Sequence, residues 1–168
     1  MSRRCALRRR LSVRGLLACV ALAAGGTVQA AATCTVSAVG PAFGVYNPLN
    51  PAPTLSNGTV TVTCQYVSGG TTTVTLVSSY SAGSSGSFAS RTMLSGPNRL
   101  NYNLYFDAAF TQIRGDGTGG SQTGGASLTV SSGSRTATAT GTLYGRMPAS
   151  QNAVPGSYLD TITVTITY

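Results

Sequence analysis

The last eight residues of the chain, Thr161 to Tyr168, alternate without a fault. Ile162, Val164, Ile166 and Tyr168 fall on one side, and Thr161, Thr163, Thr165 and Thr167 on the other. A period of two in β-branched residues is the pattern of a half-buried strand. Such a strand lies inside a sheet or at an edge that something else must cover, because an uncovered apolar edge invites pairing with other chains. What covers this strand is the question that organises the rest of the sequence.

The other end reads differently. Arg3, Arg4, Arg8, Arg9, Arg10 and Arg14 form a basic region, Leu16 to Ala24 is a short apolar run, and Val28-Gln29-Ala30 offers small residues before a cut. The run is too short to span a bilayer. Residues 1–30 therefore read as a cleaved secretory signal, with cleavage after Ala30 and with Ala32 and Gly26 as alternative points. Residues 31–168 read as one domain with room for one core. Leu16-Leu17-Ala18-Cys19 resembles a lipoprotein box, but Arg14 leaves too little apolar sequence before Cys19.

Losing the leader changes the charge. Of the formal +8, the mature part keeps Arg91, Arg99, Arg114, Arg135 and Arg146 against Asp107, Asp116 and Asp160, a net of +2. Five scattered arginines with no lysine make no basic face for nucleic acid. Cys34 and Cys64 remain as an even pair in an exported chain, which predicts a disulfide. Two cysteines and no histidine fall short of a zinc site.

Everything between reads as strands and turns. Cys34–Val39 is a first short strand, and Pro41 to Pro53, with four prolines, is a loop. Asn57-Gly58 is a turn signal. Val60, Val62, Cys64 and Tyr66 alternate in a second strand, and Thr72–Val77 is a third after Gly69-Gly70. Ser78–Ser90, rich in Ser and Gly, reads as an exposed loop, and Arg91–Leu94 as an edge piece. Leu100, Tyr102, Leu104 and Phe106 share one face of a strand, with Asn101, Asn103 and Tyr105 opposite. Gly115–Gly125 is a loop, and Leu128 and Val130 mark the next strand. Thr and Ala alternate through Arg135–Met147, and small residues there predict a close approach by another part of the chain. Pro148–Pro155 leads to the last strand. Six to eight short strands predict an all-β fold, an antiparallel β-sandwich of immunoglobulin type, with a closed barrel as the alternative.

Catalytic chemistry has little to work with. Glu, Lys, His and Trp are absent from residues 31–168. A serine nucleophile has no His or Lys as its base. A paired-carboxylate mechanism would need two of the three aspartates, yet Asp116 sits in a glycine turn and Asp160 reads as a local hydrogen-bond acceptor. One carboxylate near Asp116 is too few for calcium. Arg114-Gly115-Asp116 matches a tripeptide read by adhesion receptors, but reads more simply as a polar turn. No catalytic residue, metal or cofactor is expected. The strand tyrosines read as core and cross-strand partners.

In order along the chain stand Cys34-Thr-Val-Ser-Ala, Phe43-Gly-Val-Tyr-Asn-Pro48, Gly58-Thr-Val-Thr-Val-Thr-Cys64 and Arg91-Thr-Met93. Then come Leu100-Asn-Tyr-Asn-Leu-Tyr-Phe-Asp107, Tyr144-Gly-Arg146, Gln151 and Gly156-Ser-Tyr-Leu-Asp160. With the Thr-rich terminal strand, this ordered set resembles the spore coat protein U domain family, shared with pilin subunits of the archaic chaperone–usher pathway. The resemblance implies an incomplete sandwich completed by a donor strand. It implies three partners: a periplasmic chaperone that lends a strand, an outer-membrane usher, and other pilin subunits that supply the strand in the fibre. Ile162, Val164, Ile166 and Tyr168 would form one wall of the groove that receives it, in a subunit exported through the periplasm to the cell surface. A self-complete secreted binding domain, for instance for sugars, is the alternative. The sequence departs from the family in two places. Arg114 stands where the family usually has Trp, which predicts a more polar surface there. Only Ala31-Ala32-Thr33 precede Cys34, where polymerising pilins carry a longer alternating segment, so a distal position in the fibre is expected.

Overall fold

Strand β1 (Ala31–Val39) pairs antiparallel with β2 (Thr54–Ser68), and β2 pairs with β7 (Thr136–Met147). β7 also pairs with β5 (Asn98–Tyr105), and β5 with β4 (Arg91–Ser95), giving a five-stranded sheet in the order β1-β2-β7-β5-β4. A second sheet has three strands in the order β6-β3-β8, where β3 is Thr72–Tyr80, β6 is Gly124–Val130 and β8 is Val164–Thr167. One 3-10 turn, Gly83–Ser85, is the helical element among the described residues. This computed structural model describes residues 31–168. The leader assigned to residues 1–30 lies outside the described residues.

The two sheets pack face to face as an all-β sandwich of immunoglobulin type. No ladder joins them into the barrel that was the alternative. Strand alternation builds the core. Val60, Val62 and Cys64 on β2 point in, as do Val74 and Leu76 on β3, Leu128 and Val130 on β6, and Leu100, Tyr102 and Leu104 on β5. The disulfide joins Cys34 to Cys64, which are direct register partners on β1 and β2.

Three local expectations are corrected. Asn57-Gly58 is no turn: both residues lie within β2, paired with Tyr144 and Leu143 of β7. A side chain at Gly58 would collide with the backbone of Val39–Pro41, so its glycine serves close approach rather than reversal. The Ser78–Ser90 stretch is not wholly an exposed loop. β3 continues through it to Tyr80, a buried core residue flanked in sequence by small polar ones. Asn103, expected on the outer face of β5, is buried, because the loop before β4 folds over it and its amide donates to the Phe88 carbonyl at 2.8 Å.

The close approach expected along β7 occurs at Gly145. A Cβ there would lie 2.8 Å from the Phe43 ring and from the Ser56 carbonyl oxygen. Phe43, in the proline-rich loop after β1, thereby covers the end of the core beside Tyr102, edge to face at 5.8 Å.

Candidate functional site

The chain before β8 crosses between the sheets. Leu159 exchanges two backbone hydrogen bonds with Leu94 on β4, at 2.8 and 3.0 Å, at the edge of the five-stranded sheet. By Thr163 the chain has reached the other sheet, where the Ser81 amide donates to the Thr163 carbonyl and the Thr163 amide to Ser81 Oγ. Asp160 fixes the corner. Its carboxylate accepts from the Ser84 amide and hydroxyl and from the Tyr102 phenol at 2.7–2.9 Å. It also accepts from the adjacent Thr161 amide. Asp160 is thus an acceptor as expected, but its main partners are distant in sequence. Burial, then the bond to Asp160, push the Tyr102 phenol far above the ordinary tyrosine range.

Among the described residues β8 pairs with β3 alone, from Tyr80↔Val164 to Val77↔Thr167, and no described strand pairs with its other edge. The ladder is shorter than the alternation from Thr161 suggested, because Thr161–Thr163 are spent on the crossing. The alternation of exposure survives all the same. Ile162, Val164 and Ile166 turn inward and the four threonines outward. The inward residues meet successive parts of the core, with Ile162 also touching the Val60, Tyr80 and Leu143 cluster that Val164 meets. Ile162 packs against Leu100, Tyr102, Leu104 and Met147, Val164 against Val60, Tyr80 and Leu143, and Ile166 against the cluster around Val62, Cys64 and Leu76.

Tyr168, in phase with these residues, is not buried. It is 59% exposed, and its hydroxyl accepts a long hydrogen bond, 3.4 Å, from the Cys34 amide on β1. Its side chain thus reaches across the opening towards β1.

The opposite wall of that opening escaped the sequence reading. On β1, Val36 and Ala38 share a face with their register partners Val62 and Val60, and that face is the inner one. Val60 and Val62 are buried, yet Val36 and Ala38 are exposed. Five strands face three, and among the described residues no strand stands opposite β1 beside β8. The space left there continues into a cavity of about 1070 Å³, lined by Ala38, Phe43, Tyr102, Leu143, Ile162 and Val164 among others. The signal was available: Val36 and Ala38 stand in phase with Cys34, whose facing was fixed by its partner.

Two arginines were also missed as interior groups. Arg91 is fully buried, and its guanidinium donates to the Ser81 carbonyl from Nε and Nη2, to Asn103 Oδ1 and to the Arg114 carbonyl, at 2.6–3.2 Å. Arg114 is 6% exposed, so the more polar surface expected there is not found. Its guanidinium lies 3.9 Å from the centre of the Phe106 ring and donates to the Tyr80 hydroxyl and to the Tyr105 and Thr142 carbonyls. Burial lowers the pKa of both. With Arg114 inside, Arg114-Gly115-Asp116 is not presented as a tripeptide. Asp116 accepts from the Thr118 amide and hydroxyl, as a polar turn does.

Two comparisons with known proteins bear on the chain. Residues 19–165 match the Spore Coat Protein U domain family. Among solved structures, the chain is similar to one from the CsuC–CsuE chaperone–tip adhesion subunit pre-assembly complex of the archaic chaperone-usher Csu pili of Acinetobacter baumannii. The identity is 16% and the TM-score 0.46, over 82% of this chain and 40% of that one. No curated protein matches.

Proposed function

The chain belongs to the Spore Coat Protein U domain family, and from that premise we propose that it is a structural, non-catalytic subunit of a surface fibre or coat, assembled by strand addition. The observation that carries this reading is the unequal pair of sheets. A three-stranded sheet leaves the inner face of β1 uncovered and the edge of β8 unpaired. An extended segment from another chain satisfies both deficits at once. Its backbone pairs with β8, and its alternate side chains cover Val36, Ala38, Ile162 and Val164.

The donor is supplied first by a periplasmic chaperone, then, at an outer-membrane usher, by another pilin subunit. Residues 1–30 act as the export signal and residues 31–168 as the assembled domain, which leaves the periplasm for the cell surface. Its place is distal, because Ala31, Ala32 and Thr33 are already spent in the β1–β2 ladder. Expression with and without the chaperone tests the reading. The subunit is expected to aggregate alone and to be recovered as a one-to-one complex with the chaperone. A soluble, monomeric subunit with the same yield in both cases would overturn it and favour a self-complete binding domain.

A further inference from the structure

Between the sheets lies a second cavity, of about 350 Å³, bounded by β2, β3, β6, β7, Ile166 of β8 and the segment between β5 and β6. Arg114 lines it, with Gln112, Gln122, Thr123, Ser78 and Thr140. We propose that this cavity binds a small carboxylate, held by the Arg114 guanidinium.

The argument begins with charge. Arg91 and Arg114 are both buried, and no carboxylate among the described residues bonds to either. All three aspartates are engaged elsewhere: Asp107 with Thr111 and Gln112, Asp116 with Thr118, Asp160 with Ser84 and Tyr102. A buried charge is normally paired with an opposite one. The two arginines differ in what they have left to offer. A guanidinium carries five N–H donors. Arg91 makes four bonds, all to protein oxygens, and lines neither cavity. Arg114 makes three, one from each nitrogen, which leaves one N–H on each terminal nitrogen. Two such donors match the two oxygens of a carboxylate.

The surroundings suit an anion of modest size. Arg114 is held from several sides, by the Phe106 ring, the Tyr80 hydroxyl, and Arg91, which takes its backbone carbonyl. Little ordering remains for binding to supply. The space equals that of about ten waters, enough for an organic acid or one sugar ring. Gln112, Gln122, Ser78 and Thr123 bring hydrogen-bonding capacity without negative charge, and Val60, Leu76 and Ile166 are among the apolar residues that line the rest. The carboxylate has two candidate sources, a free small acid and the acidic sugar unit of a glycan.

The test titrates the subunit, kept soluble by a fused donor segment and labelled with nitrogen-15 at arginine, with sodium acetate, sodium glucuronate or glucose, against sodium chloride at equal ionic strength. A saturable shift of the buried Arg114 Nε–H resonance is expected with a carboxylate and not with glucose or chloride. A response to acetate and glucuronate alike assigns a free acid, and a response to glucuronate alone assigns an acidic sugar. Arg114→Gln is expected to weaken binding about tenfold or abolish it. Should that variant fail to fold, the wild-type resonance decides alone. Shifts no larger than those in chloride, or an unchanged affinity in folded Arg114→Gln, would overturn the proposal. Chaperone binding is not part of the readout, so failure here and failure of the strand-addition reading are distinguishable.

Discussion

Val36 and Val62 stand directly opposite each other on β1 and β2 and share one face of the sheet, yet Val62 is 5% exposed and Val36 45%. The difference lies in what stands above them. β3 and β6 roof Val62, whereas no strand among the described residues roofs Val36. Identical side chains on adjacent strands therefore mark where the sandwich ends and where an added strand would begin.

That asymmetry predicts opposite responses to truncation. Val62→Ala removes two buried methyl equivalents and should cost about 1.5–2 kcal/mol with or without a donor. Val36→Ala should cost little in the isolated subunit and approach the same figure once a donor strand is fused or bound. Urea unfolding of both variants, with and without a fused donor segment, checks this. Equal costs for Val36→Ala in the two states would mean that no donor covers β1.

The second prediction concerns the β8 wall. Ile162 and Ile166 meet different core clusters, so Asp at either one buries an unpaired charge at a different depth of the groove. Recovery of a chaperone complex should fall sharply for both, by several kcal/mol of docking energy unless the carboxyl neutralises. Thr165→Asp, on the outward face, should leave recovery unchanged. Undiminished complex from Ile162→Asp and Ile166→Asp would rule out β8 as the docking edge.

The parts of the fold legible in the sequence are those where one residue and its immediate neighbours carry the cause. The alternation of Ile162, Val164 and Ile166 is a local periodicity, and it survived even where the ladder did not extend. The Cys34–Cys64 pair was legible from number and compartment alone. Gly58 was misread because its glycine answers to Val39–Pro41 across the sheet, a contact absent from the local pattern. Arg91 and Arg114 were invisible for the same reason. Their acceptors are carbonyls of Ser81, Tyr105 and Thr142, and any residue offers a carbonyl. The inward facing of Ile162, Val164 and Ile166 was legible as an alternation. The exposure of Val36 and Ala38 was not, since whether an inward residue is covered depends on which strand stands opposite it.

The third prediction addresses the Cys34–Cys64 disulfide, which closes a separation of 30 residues between β1 and β2. The chain-entropy estimate for such a loop is about 3–4 kcal/mol. Thiol labelling of the denatured, unreduced protein should find no free thiol. Paired replacement of both cysteines by Ala should lower the urea midpoint accordingly. β1 also forms one wall of the groove, so chaperone capture should weaken in the same variant. Two free thiols in the exported protein would defeat this prediction.

Arg91 supports the fourth. Its guanidinium ties together the loop after β3, Asn103 on β5 and the backbone of Arg114. Arg91→Met keeps much of the volume but leaves the Ser81 carbonyl, Asn103 Oδ1 and the Arg114 carbonyl short of a donor. The expected cost is about 3–5 kcal/mol, because a buried acceptor stripped of its partner bears its full desolvation penalty. Urea unfolding of the complemented subunit measures it. A loss below about 1 kcal/mol would mean that water replaces the guanidinium without penalty.

The last prediction concerns what this subunit can give rather than receive. A donor strand must be free of its own domain and must lay alternate apolar side chains along a neighbour's groove. Ala31, Ala32 and Thr33 fail the first condition, being paired with Ser68, Tyr66 and Gln65, and Cys34 is covalently held. They fail the second too, since none carries a large apolar side chain. Cleavage after Gly26 would add only Thr27-Val28-Gln29-Ala30, with one β-branched apolar residue. At about 3.3 Å per residue those four reach about 13 Å, less than half of a ten-residue groove. The subunit is therefore expected to accept a strand at the distal end of its assembly and to propagate none. Intact mass of the exported protein and electron microscopy of the subunit expressed with its chaperone and usher alone test this together. A mature start before about Ala21 would restore a usable donor, and fibres built from this subunit alone would show that one is in use.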